Sequence, residues 1–168
     1  MKTLLISAES VVKYTPIRSG VDHDIINPKI EVTQDLTLAY VLGAPLLEKL
    51  QAVVDGAADP DNKYTKLLDT YVRPYLRWAT AYNLLPDIAF SISSGGIQQP
   101  DSNQGQSIFD GTMAIVKQNI LSNSSGYKKL LMDHLCNFGN IYPEYLKFEQ
   151  GKQKPTDNGQ PFHGIQFY

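Results

Sequence analysis

Cysteine, histidine and arginine are all scarce in this chain: one Cys, three His and three Arg among 168 residues. A single cysteine excludes an internal disulfide. Cys136 stands beside Leu135 and near Phe138, where a buried, inert thiol is expected, in keeping with a reducing cytoplasm. His23, His134 and His163 lie far apart, and none is three or four residues from another ligand-type side chain on a helix. His134 and Cys136, two residues apart, do not face each other on a helix. No zinc or other metal site is expected. Charged residues make up only 19%, with a formal net charge of −2. Lys128-Lys129 and the Lys152/Lys154 pair are too short for a nucleic-acid footprint. A protein that only lines a DNA channel needs no such patch. Long apolar runs are missing too, so no segment approaches the roughly 18 residues of a membrane span. The Leu4-Leu5-Ile6 run, soon interrupted by Glu9, is too short for a signal-peptide core.

Catalytic patterns are equally sparse. Gly95-Gly96 is not followed by Lys-Ser/Thr and does not belong to a Gly-x-Gly-x-x-Gly fingerprint. Ser93, Ser94 and Ser102 have no nearby histidine and no strand–turn–helix context. Asp55, Asp59 and Asp61 surround Pro60 without the central glycine and closing glutamate of a calcium loop. A helix-end turn accounts for them better. No catalytic residue and no cofactor is therefore expected.

What is present is helical periodicity. Ser7 caps a short helix, with Glu9 at its positive end. From Asp22 to Leu42 a helix is expected, with Pro28 near its first turn. Ile25, Val32, Leu36 and Ala39 form its buried face, and Ile26, Ile30 and Tyr40 widen it. Gly43 stops this helix. Pro45 restarts another, lined by Leu46, Leu50 and Val53, which ends at Gly56. The longest stretch runs from about Lys63 to about Ser91, with Tyr64, Leu68, Tyr71, Tyr75, Trp78 and Tyr82 on one stripe. Pro74 and Pro86 should break or kink it into two or three pieces. Ser107 and Asp110 open a further helix with the stripe Phe109, Met113, Val116 and Ile120. Asn123 to Gly126 reads as a turn, and Tyr127, Leu131, His134 or Leu135, and Phe138 follow on a last helix closed by Gly139. Pro143 opens a final short turn.

Two segments have no helical period. Residues 91–105 are polar and long for a loop, with Ile97 able to anchor them as a short strand. Residues 149–168 are rich in Gln, Gly, Pro, Lys and Asn, with Ile165, Phe167 and Tyr168 near the end. Such a segment cannot offset its own ordering entropy, so it is expected to fray as a tail or to be ordered only where something, such as a neighbouring chain, holds it. The expected fold is mainly α: a compact helical bundle over residues 1–148, with a long irregular loop, and an extended C-terminal arm over 149–168. Ten tyrosines and few charges suit an interface. The competing readings are a small helical enzyme around Asp133 and His134, and a nucleic-acid regulator using Tyr71, Tyr75 and Arg73 or Arg77.

The stretch Ile30 to Leu50, with its helix, Leu-Gly-Ala-Pro-Leu-Leu break and second helix, resembles the opening of the small head–tail connector proteins of tailed bacteriophages. The order of elements from Ser7 to Lys147 is similar, closing near Tyr142-Pro143. The Ser-Ser-Gly-Gly-Ile-Gln-Gln-Pro segment is similar to the loop of such proteins in phages of Bacteroides-like hosts. The resemblance implies a virion protein of the neck, in a ring of about twelve copies. It implies contact with the portal and with the next ring or tail protein, a channel for passing DNA, and no membrane contact. It also implies that Gly95, Gly96 and Ile97 of the loop, and Ile165, Phe167 and Tyr168 of the arm, lie at interfaces. The arm is longer than the simplest pattern of such proteins, which leaves its partner open.

Overall fold

The computed structural model describes residues 3–17, 21–59, 62–89, 91–93, 96–98 and 110–146. They form a helical bundle, as the periodicity predicts, together with one two-stranded hairpin. Helix α1 (Ala8–Tyr14) starts at Ser7, whose Oγ accepts from the Ser10 N–H at 3.3 Å. The irregular residues before it bury Leu5 and Ile6. They are held by Gln34, whose side-chain oxygen accepts from the Leu5 N–H at 3.0 Å while its amide nitrogen donates to the Thr3 carbonyl at 3.0 Å.

Gln34 lies in a wide turn. Helix α2 (His23–Val32) passes into a π-helical turn (Thr33–Leu38) and on into α3 (Ala39–Leu42) as one helical run. The π-turn carries two polar residues into the core, and both are satisfied there. The Thr33 hydroxyl donates to the Lys29 carbonyl at 2.7 Å and accepts from the Asn83 amide at 2.9 Å. Pro28 is not in the first turn as expected. It lies inside α2, where it supplies no N–H to the Asp24 carbonyl, and Asp24 is exposed. The expected buried face is also corrected. Ile26, Ile30, Leu38, Val41 and Leu42 are buried, whereas Ile25, Val32, Leu36 and Tyr40 are exposed. Ala39 packs against the core from its edge. Gly43, at φ 78°, ends the run, and α4 (Ala44–Val54) buries Leu46, Leu47 and Leu50. Gly56, at φ 97°, follows α4.

The Asp-rich turn serves the next helix. Asp59 accepts from the N–H groups of Tyr64 at 3.0 Å and Thr65 at 2.7 Å, in the first turn of α5 (Lys63–Leu67). A second π-turn (Leu68–Val72) joins α5 to α6 (Arg73–Ala89). The run is helical from Lys63 to Ala89 with no break at Pro86, and its interruption, the π-turn, falls just before Pro74. The π-turn ends one residue before Arg73-Pro74, and its wider ring makes room for the proline. The aromatic stripe is recovered, with Tyr64, Leu68 and Tyr75 buried and Tyr71, Trp78 and Tyr82 at the core's edge.

Strands β1 (Ser91–Ser93) and β2 (Gly96–Gln98) pair antiparallel, with Ile92 opposite Ile97. Helix α7 (Asp110–Phe138) then packs along α6. It runs straight through Asn123 to Gly126, where a turn was expected. Ile120, Ser124, Leu131 and Leu135 are buried and Tyr127 partly so. That stripe steps by three or four without a gap, so packing overrides local turn propensity. A Cβ on Gly126 would meet nothing within 4 Å, so no close approach requires that glycine. Two further expectations fail at the end of α7. Cys136 is exposed, because the buried stripe passes through Leu131 and Leu135 and leaves position 136 outside. Phe138 is also exposed. A 3-10 turn (Gly139–Ile141) and a helical turn over 143–146 close the described chain.

Candidate interaction surface

The most distinctive surface lies on the run formed by α2, the first π-turn and α3. Ile25 is 46% exposed, Val32 48%, Leu36 72% and Tyr40 76%. Ile25 and Val32, seven residues apart, share one face of α2, and Leu36 and Tyr40 follow as exposed residues of the π-turn and α3. Large apolar side chains scattered singly on a surface need no explanation, whereas four along one helical run form an exposed apolar row of the kind that contact surfaces use. Acidic residues flank the row: Asp22, Asp24 and Glu31 are exposed, while Lys29 is paired with Asp87 at 2.7 Å. Periodicity alone could not find this face, since α2 carries apolar residues on both sides.

A second feature joins the far end of the bundle. The His134 ring stacks on Tyr71 with centroids 4.2 Å apart, and its Nε2 lies 3.1 Å from the Tyr142 hydroxyl. The Tyr142 ring packs against Tyr64 at 5.9 Å. The Tyr64 hydroxyl donates to Glu144 at 2.9 Å. The ammonium groups of Lys49 and Lys63 lie over the Tyr64 ring. Burial pushes the Tyr64 hydroxyl up to about 12, and its bond to Glu144 adds to the shift. Burial lowers the His134 pKa below its ordinary value. A cleft of about 470 Å³ opens beside this cluster, lined in part by Lys63, Lys66, Tyr71 and His134. The arrangement clamps the closing segment onto α5. One face of the His134 ring is covered and Nε2 is engaged, while Asp133 is exposed.

Of the expected interface residues, Gly96 and Ile97 lie in β2, opposite Ser93 and Ile92. Gly95 lies outside the described residues, as do Ile165, Phe167 and Tyr168 and the whole arm over 149–168. Among the described residues no group of three His, Cys, Asp or Glu side chains could hold a metal. No helix there is long and apolar enough to cross a membrane.

A family model described as "Family of unknown function (DUF6712)" matches residues 38–155, and the chain belongs to that family. No curated protein and no solved structure matches the chain.

Proposed function

We propose that this member of the family is a non-enzymatic assembly protein whose copies close into a ring at the head–tail junction of a tailed bacteriophage. In this reading about twelve copies sit between the portal and the next ring or the tail, in the neck of the virion. DNA passes through the channel without sequence-specific contact. The reading starts from the resemblance of residues 7–147 to connector proteins. The observation that carries it is the exposed apolar face of Ile25, Val32, Leu36 and Tyr40.

The occupant of that face is a second copy of the chain. The same sequence carries both an apolar face left uncovered among the described residues and an apolar group, Ile165, Phe167 and Tyr168, in a segment that cannot bury it alone. The 20 residues from Glu149 reach at most about 70 Å when extended, enough to cross onto a neighbouring bundle. Lys152 and Lys154 on the arm complement Asp24 and Glu31 beside the face.

The test is the native mass of the full chain and of the Leu36→Asp/Tyr40→Asp variant. Both residues are exposed, so the variant should keep its far-UV circular dichroism and fall to a monomer. A wild-type chain that is monomeric alone and with its portal refutes the ring. A variant that still assembles refutes the role of this face.

A further inference from the structure

We infer that the cleft between residues 4–7, α1, α2 and α6 binds a carboxylate carried by another polypeptide. This cleft measures about 570 Å³ and is lined by Leu4, Ile6, Ser10, Asn27, Arg73 and Arg77, among others. It thus gathers two of the chain's three arginines. The inference does not depend on the ring.

The two guanidinium groups are held differently. Arg73 donates through Nε to the Leu5 carbonyl at 3.0 Å and pairs through Nη1 with Asp69. Its charge is matched. Arg77 donates through Nε to Ser10 Oγ at 2.6 Å, and its guanidinium lies over the Tyr14 ring, 4.2 Å from the centroid. These contacts fix the plane of the guanidinium without supplying a counter-charge. No carboxylate lies within 4.0 Å of it among the described residues. Burial works most strongly against its charged form and Arg73 adds to this, while Tyr14, Asp69 and Tyr127 offset part of it; a guanidinium nevertheless stays charged in proteins. A half-buried cation in fixed orientation, its Nη groups without a carboxylate partner among the described residues, is the recognition element for a planar oxyanion bound by two parallel hydrogen bonds.

The rest of the lining selects the kind of anion. Ser7, Ser10 and Asn27 add neutral polar groups, and Leu4, Leu5 and Ile6 add apolar wall. No lysine lines the cleft. A nucleic-acid backbone is held by many cations along a track, which this lining does not provide. One fixed guanidinium fork beside apolar wall fits a glutamate or aspartate side chain on a peptide, whose neighbouring residues occupy the wall.

The experiment is an NMR titration of the full chain, following the arginine Nε–Hε resonances. The probes are a capped pentapeptide with two glutamates flanking a leucine, the same peptide with glutamines, inorganic phosphate, and a short DNA duplex. The glutamate peptide should shift the Arg77 resonance and bind more tightly than about 1 mM. The glutamine peptide should bind at least about tenfold more weakly. Arg77→Lys keeps the charge but loses the fork, and should weaken the glutamate peptide about tenfold. Arg77→Gln should abolish binding. Ser10→Ala, which frees Nε without removing the charge, serves as the folded control should Arg77→Gln unfold, and should shift the affinity measurably. Equal binding of both peptides, or no shift with the glutamate peptide, overturns the inference. So does a response to phosphate or DNA that the glutamate peptide does not produce.

Discussion

Replacing Gln34 with Leu would test how the N-terminal segment is held. Gln34 is fully buried and makes two bonds to that segment, accepting from the Leu5 N–H and donating to the Thr3 carbonyl. Leucine has a similar size, so little cavity forms. What changes is polar satisfaction. The Thr3 carbonyl retains a donor, the Gln51 amide at 3.3 Å. The Leu5 N–H has no substitute, and Leu5 is only 2% exposed. A buried donor left without a partner costs about 1–3 kcal/mol, and the added apolar burial of leucine returns part of that. The expected net loss is about 1–2 kcal/mol, read as a lower urea midpoint at unchanged slope. Hydrogen exchange gives the local readout: the Leu5 amide should lose protection while Ile26 and Leu76 exchange as before. Unchanged protection of Leu5, or a variant as stable as the parent, would refute the assignment of Gln34 as the anchor.

Two other substitutions probe single groups. Asp59→Ala removes the acceptor for the Tyr64 and Thr65 N–H groups and should cost about 1 kcal/mol, as loss of a helix cap does. Burial pushes the Asp59 carboxyl up, but its hydrogen bonds with Thr65 and Tyr64 outweigh this and set its pKa below the ordinary 3.8. Its contribution is therefore complete above that pH and lost as the pH falls through the folded-state value. A urea series down to acid pH should show the parent and the variant converging, and parallel curves would contradict the cap. Thr80→Val removes a buried hydroxyl without a hydrogen-bond partner among the described residues. It should leave stability unchanged or raise it by up to about 1 kcal/mol; a clear loss in thermal unfolding would mean that the hydroxyl is satisfied in solution.

The signals legible in the sequence were those that act locally. Ser7 caps α1, Gly43 ends α3 in the left-handed region, and the Asp-rich turn caps the next helix. Each depends on residues a few positions apart. What stayed hidden depends on distant partners. Ile25 and Ile26 are neighbours of the same type, and only packing against α6 decides that Ile26 goes in and Ile25 out. Gln34 reads as a surface residue until Leu5, 29 positions away, is placed beside it. Tyr71 and His134 each fall on a helical stripe, but their stacking joins α7 to the second π-turn across the bundle. The Asn-Ser-Ser-Gly stretch misled because its turn chemistry is strong, while the stripe from Ile120 to Leu135 that overrides it is spread over four turns. Cys136 misled for the opposite reason: apolar neighbours in sequence are not neighbours in space.

The two π-turns also bear on how this chain tolerates insertion and deletion. A turn of this kind holds one residue more than an α-helical turn while the helix on either side keeps its direction. Both interrupt the long runs, at Thr33–Leu38 and Leu68–Val72. Loss of one exposed residue there, such as Asp69 or Thr70, relaxes the turn to ordinary helix and leaves the flanking faces in phase. The same loss within α7 rotates everything beyond it by about 100° and turns Leu131 and Leu135 out of the core. Related chains that differ by single residues within these helices should therefore carry the change at the π-turns, with the bundle around them intact.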